Sequence, residues 1–172
     1  MAEKHPFKPF VPPNTRYLLL GSFVAKKRSD DVGYDWYYGS RRNQFWAIME
    51  LVYHAQLSSK NDKQALLARL SMAMADIILG CERKGDSSLD ANLINLVYNT
   101  AAIRRILENN LVKRIIFTSR FVENEFCKHF TDLMQKFPEV DLVCFPSPSP
   151  RYAVMSLKEK AKRYKTILPS LK

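Results

Sequence analysis

Apolar positions along the chain fall into short unbroken runs and helically spaced stripes. Arg16-Tyr-Leu-Leu-Leu-Gly21 is a run closed by glycine, which predicts a buried strand and then a tight loop. From Asn43 to about Tyr53, the residues Phe45, Trp46, Ile48, Met49, Leu51 and Val52 recur at helical spacing. Ser59 to Met74 predicts a second helix with Leu66, Leu67, Leu70 and Met74 on one face, and Ala75 to Leu79 a short strand or turn. The polar stretch 80–92, with Gly80 and Gly85, predicts a loop. Asn99 to Asn110 is a helix with Ile103, Ile106 and Leu107 as its buried stripe, and Val112 to Thr118 is a strand of the buried, parallel-sheet type. Phe121 to Phe137 predicts one amphipathic helix, and Val140 to Phe145 another strand. That strand runs into Pro146-Ser147-Pro148-Ser149-Pro150-Arg151, where the prolines permit only a loop. Ser156-Leu-Lys-Glu159 is a capping box that opens a last helix to about Ile167. Residues 1–15, rich in proline and lysine, predict an extended N-terminal arm, and the charged stretch 24–35 a solvated loop.

Strands alternating with helices predict an α/β fold with a parallel sheet covered on both faces, formed by one domain over residues 16–172. Ligands of such sheets bind beyond the carboxyl ends of the strands. The loops from Gly21, around 80–92 and over 146–151 are therefore expected on one rim. The segment Tyr37-Tyr38-Gly39-Ser40-Arg41-Arg42-Asn43-Gln44-Phe45-Trp46 follows the first of these and belongs to the rim too.

Composition narrows the classes. A chain of 172 residues with 47% hydrophobic content has enough apolar side chain for a core. No apolar run reaches the roughly 18 residues of a membrane span, and Met1 to Pro6 carry charge and proline without an apolar signal region. The expectation is a soluble, monomeric protein, cytoplasmic or nucleoid-associated. A net charge of +10 favours a polyanionic partner, nucleic acid first. Cys81, Cys127 and Cys144 have no C-x-x-C spacing, and His5, His54 and His129 no ligand spacing, so neither a metal nor another cofactor is expected.

Candidate chemistry concentrates in Tyr37 to Trp46. Arginines grip phosphates, aromatic faces stack on bases, and amides bond to base edges. Adjacent residues of an extended segment point opposite ways, so one of Tyr37 and Tyr38 is expected to pack and the other to face the cleft. Phe45 and Trp46 are expected inside. Asn43 stands where a helix N-cap would, and its amide also suits orienting a water or reading a base edge. A glycine closing the first strand, Gly21 before Ser22 and Phe23, lets backbone approach a ligand. Ser147, Ser149 and Arg151 offer phosphate donors on a stiff loop. Glu82 and Arg83 suit an ion pair with each other or with a ligand. The cations Lys158, Lys160, Lys162, Arg163 and Lys165 read as a solvated helix face or a DNA contact. Dinucleotide and phosphate-loop glycine motifs are absent.

Together, Leu18-Leu-Leu-Gly21-Ser22-Phe23, Tyr37-Tyr38 with Arg42-Asn43-Gln44-Phe45-Trp46, Asp76-Ile77, Cys81-Glu82-Arg83 with Ser88-Leu89-Asp90, and Pro146 to Pro150 resemble the uracil-DNA glycosylase superfamily. The closest likeness is to the mismatch-specific uracil/thymine and hypoxanthine-DNA glycosylase branches, over about residues 16–168. The resemblance implies a three-layer α/β/α sandwich around a short, about four-stranded parallel sheet. It implies a monofunctional enzyme that flips out a deaminated base, uracil or hypoxanthine, and hydrolyses its N-glycosidic bond in base excision repair. It implies DNA as the partner. It also implies base contacts from Gly21, Ser22, Phe23 and Tyr38, phosphate contacts from Arg41, Arg42, Ser147, Ser149 and Arg151, and Asn43 as the catalytic residue. Phe23 occupies the position where most of the superfamily carries a catalytic Asn or Asp. Val24 replaces a proline, and the loop 146–151 lacks the histidine of many members. Those departures point to weak activity on uracil or to a different deaminated base. They also motivate an alternative, a nucleic-acid or nucleotide-binding module that does not cut.

Overall fold

The run Leu18 to Leu20 is buried on both sides, as a central strand requires. In this computed structural model, which describes residues 2–26, 34, 36–85 and 89–171, it forms β2 (Tyr17–Gly21). β2 pairs in parallel with β3 (Met72–Asp76) and β6 (Arg114–Phe117), and β6 with β7 (Asp141–Cys144), in the order β3-β2-β6-β7. Side chains alternate across this sheet. Leu18, Leu20, Ala75, Ile115 and Phe117 join the core under α3 (Thr100–Asn109), α4 (Arg120–His129) and α5 (Thr131–Lys136). Leu19, Met72, Met74 and Ile116 join the core under α1 (Phe45–Tyr53), α2 (Lys60–Arg69) and α6 (Leu157–Ile167). The result is the expected α/β/α sandwich on a four-stranded parallel sheet.

Four expectations need correction. The helix drawn to Met74 stops at Arg69, because Ser71 takes a left-handed φ of 51° and Met72 to Asp76 form β3. The stretch 80–92 is not all loop. β4 (Ile78–Arg83) pairs antiparallel with β1 (Glu3–Lys4) and with β5 (Leu93–Tyr98), forming a second, three-stranded sheet. The predicted helix 121–137 is two helices that meet at the buried Phe130, whose ring stacks on Phe126. The arm is extended, yet part of it is paired: besides β1, Phe10 bridges Met74. Of the loop 24–35, residues 27–33 and 35 lie outside the described residues.

The strand order positions the site. From β2 the chain moves one way to β3, then crosses back to lay β6 and β7 on the other side. The reversal lies between β2 and β6, and parallel α/β sheets bind ligands beyond the strand ends at such a switch point. The registers Gly21↔Asp76 and Leu20↔Phe117 bring Gly21, Asp76 and Thr118 to that edge.

Candidate functional site

A cleft of about 410 Å³ opens there, inside the roughly 300–1,000 Å³ range of small-ligand sites. Ser22 and Phe23 line it from the loop after β2, and Tyr38, Arg42 and Asn43 from the segment before α1. Ser147, Ser149 and Arg151 line it from the loop after β7. Gly21 sits behind the wall: a Cβ on it would lie 2.2 Å from Tyr38 Oη and 2.3 Å from Asp76 Oδ1. Arg41 is exposed and outside the cleft lining.

The segment before α1 divides its aromatics between core and cleft. Phe45 and Trp46 are buried in the core; Tyr37, also buried, and the half-buried Tyr38 both line the cleft. Trp46 Nε1 donates to the Tyr37 carbonyl at 2.8 Å and its ring stacks on Trp36, which anchors the segment. Phe45 stacks on the Tyr38 ring at 4.5 Å, and Tyr38 Oη donates to Thr118 Oγ1 at 3.2 Å. Burial pushes the Tyr38 phenol well above its ordinary pKa, so it remains a donor. Its φ of 55° is left-handed, a conformation that costs of order 1–3 kcal/mol and clusters at functional sites.

The N-cap of α1 is Gln44 and not Asn43, which stands one residue earlier. Asn43 Oδ1 accepts from the Phe45 N–H at 2.9 Å, satisfying one of the orphan donors that open α1. Its side-chain amide remains beside the cleft.

The serine-proline loop is held by more than its prolines. Gln44 N–H donates to the Pro148 carbonyl at 3.0 Å, and Tyr164 Oη to the Pro146 carbonyl at 3.0 Å. Lys160 Nζ donates to Gln44 Oε1 at 2.8 Å and to the Ser149 carbonyl at 3.0 Å. Lys160 is 1% exposed, so it is not part of a solvated face. Burial lowers its pKa. The hydroxyls of Ser147 and Ser149 accept from the N–H groups of Ser149 and Arg151, which leaves each O–H as a donor.

Three acidic and imidazole groups meet at the site; in the sequence Asp76 and Asp90 only carry part of the resemblance and His5 only lacks ligand spacing, and none of them is a candidate site residue. Ser22 Oγ donates to Asp90 Oδ1 at 2.7 Å. Burial raises the Asp90 carboxyl above its ordinary value, and Asp76 adds to the rise. His5 Nε2 donates to Asp76 Oδ2 at 2.8 Å. Asp76 is 4% exposed, lines the cleft, and its Oδ1 has no hydrogen-bond partner among the described residues. A buried polar atom left unpaired costs about 1–3 kcal/mol. Glu82 and Arg83 do not pair with each other. Arg83 Nε bonds Glu3, and its ring-facing guanidinium lies 5.4 Å from the centre of Phe23. Ser88 lies outside the described residues. Among those described, no group of His, Cys, Asp and Glu is arranged to hold a metal.

The fold is similar to the solution NMR structure of a candidate uracil DNA glycosylase from Methanosarcina acetivorans. The TM-score is 0.63 over 97% of this chain and 99% of that one, with 17% sequence identity. That likeness is one of fold. No protein-family model and no curated protein matches the chain.

Proposed function

We propose that the chain is a monofunctional DNA glycosylase of the uracil-DNA glycosylase superfamily, akin to its mismatch-specific and hypoxanthine branches. It flips a deaminated base, uracil or hypoxanthine, into the cleft and hydrolyses the N-glycosidic bond. The carrying observation is the meeting of Tyr38, Asn43 and Ser147 in one cleft of ligand size at the switch point. The fold likeness to a candidate glycosylase and the net charge of +10 support it.

Hydrolysis breaks the bond from sugar C1′ to the base nitrogen, the electron pair leaves with the base, water adds at C1′, and the proton that water loses ends on the departed base. Asn43 is no general base, since an amide does not take up a proton near neutral pH. Its Nδ2 donor holds the water or the departing base, and most of the rate comes from stabilising charge that develops as the base leaves. Tyr38 presents its ring to the base. Gly21, Ser22 and Phe23 form the wall, and Arg41, Arg42, Ser147, Ser149 and Arg151 hold phosphates.

Because Asn43 also accepts from the first N–H of α1, two variants separate its roles. Asn43→Ser keeps an acceptor for the Phe45 N–H and should unfold within about 0.5 kcal/mol of wild type, whereas Asn43→Ala should lose about 1 kcal/mol. Both should release base about 100-fold more slowly, the usual cost of removing one transition-state donor. Base release from uracil- and hypoxanthine-containing duplexes checks this, and full activity in either variant removes Asn43 from the mechanism. Arg42→Ala or Arg151→Ala should weaken DNA binding alike on all sequences. Each should also lower the slope of log K against log salt by about one, read from a salt titration.

Two features favour binding without cleavage: Asn43 Oδ1 is spent on the Phe45 N–H, and, by the resemblance, apolar Phe23 holds the position of a catalytic Asn or Asp. That reading expects salt-dependent DNA binding and no abasic product.

A further inference from the structure

The stretch that follows β2 at the cleft, Gly21 to Ala25, has no ionisable side chain. Asp90 brings one to it from another element. It opens a short helical turn (Asp90–Asn92) between β4 and β5, and it lines the cleft. The turn is tied down on both sides. Asn92 N–H donates to the Leu89 carbonyl at 3.0 Å, and Lys84 N–H to the Asn92 carbonyl at 2.9 Å.

The two oxygens of Asp90 differ. Ser22 Oγ donates to Oδ1 at 2.7 Å, across 68 positions of sequence, which fixes the carboxylate against the loop after β2. Oδ2 accepts no hydrogen bond among the described residues. Unlike Asp76 Oδ1 it is no sealed, unpartnered atom, because Asp90 is half-buried and open to the cleft. Three titratable or charged groups face the carboxylate: Asp76 from β3, Arg83 from β4 and Tyr38 from the segment before α1. Burial raises the Asp90 carboxyl most, the Ser22 hydrogen bond and Arg83 oppose the rise, and Asp76 adds to it. A carboxylate shifted upward takes a proton more readily than an ordinary one.

We propose that Asp90 is a further catalytic residue of the cleft, the general base that activates water, and that Ser22 is its positioning residue. The proposal rests on the reading of the cleft as a glycosylase site and supplies the proton acceptor that the Asn43 amide is not. As the bond from C1′ to the base nitrogen breaks, its electron pair leaves with the base. The water oxygen bonds C1′ and gives its proton to Asp90 Oδ2. That proton then passes through solvent to the departed base anion, and the carboxylate is restored. Asn43 orients the water, and Ser22 holds Oδ1 so that Oδ2 faces it.

The test follows single-turnover base release from uracil- and hypoxanthine-containing duplexes against pH. It compares wild type, Asp90→Asn and Ser22→Ala over the range in which each stays folded by circular dichroism. Wild type should lose rate on the acid side as Asp90 takes up a proton, with a midpoint above the ordinary 3.8. Asp90→Asn keeps an acceptor for Ser22 Oγ but cannot take the proton. Its release at neutral pH should be about 100-fold slower or more, the scale of general-base catalysis, and the acid-side loss should vanish. Its DNA binding should be undiminished, since the change only removes a negative charge. Ser22→Ala should be about tenfold slower, the scale of one hydrogen bond to a charged group. Its acid-side midpoint should move up, because the lost bond favours the carboxylate. If Asp90→Asn gives no folded protein, the wild-type profile and its shift in Ser22→Ala decide. Abasic product formed as fast by Asp90→Asn, or an acid side that this variant leaves in place, overturns the proposal and leaves the glycosylase reading standing. No abasic product from wild type overturns both.

Discussion

Gly21→Ala should destabilise the protein by about 1–3 kcal/mol, the usual cost of overpacking a tight site, and slow base release by about 100-fold, the scale of a 1 Å misplacement near the reacting atoms. The new Cβ would come 2.2 Å from Tyr38 Oη and 2.3 Å from Asp76 Oδ1, distances no real Cβ keeps. Neither neighbour yields freely. Tyr38 is fixed by its bond to Thr118 and its stack on Phe45, and Asp76 by His5. Whichever moves, a group lining the cleft is displaced. Denaturant unfolding and single-turnover base release check the two effects together. An alanine variant as stable and as active as wild type would mean that this wall of the cleft is not where the chemistry occurs.

Lys160→Met should destabilise by about 2–4 kcal/mol, because it leaves Gln44 Oε1 and the Ser149 carbonyl without their shared donor at a buried position. Methionine keeps the apolar stem, so lost volume is a minor part of the effect. The consequence extends to function, since Lys160 ties α6 to both the start of α1 and the serine-proline loop. Weaker DNA binding should accompany the lost stability. The effect also depends on pH. Burial lowers the Lys160 pKa below its ordinary 10.5 in the folded state, so between that lowered value and 10.5 the unfolded chain holds the extra proton. Stability contributed at Lys160 therefore rises with pH across that window, and the Met variant lacks the rise. Urea unfolding of both proteins at neutral and at alkaline pH measures it. A difference between the two proteins that does not grow with pH contradicts the assignment.

Much of the fold is legible along the chain. The apolar runs of β2, β6 and β7, the stripe of α3 and the capping box of α6 each state their element locally. The failures have local causes too. From Leu70 to Ile78 nearly every residue is apolar, so periodicity cannot separate the end of α2 from β3, and the left-handed turn at Ser71 uses no glycine. β4 and β5 form a half-exposed ribbon whose register shifts at bulges, which blurs the alternation that identifies a strand. At the site, Tyr38, Asn43 and Ser147 lie in segments dense with polar and aromatic residues and were visible as candidates. Asp76, His5 and Asp90 were not, because their meaning comes from partners 71 and 68 residues away. Lys160 carried a usable signal: Leu157, Lys160 and Tyr164 share one helical face, and a lysine on an apolar face is buried or snorkels.

The central claim is that this cleft takes in a deaminated base and cuts its glycosidic bond. Single-turnover base release by the wild-type protein at low salt, from duplexes carrying uracil or hypoxanthine at one position, tests it most directly. The account predicts abasic product from at least one of the two duplexes and none from the unmodified duplex. Salt-dependent binding to both with no abasic product from either would contradict it.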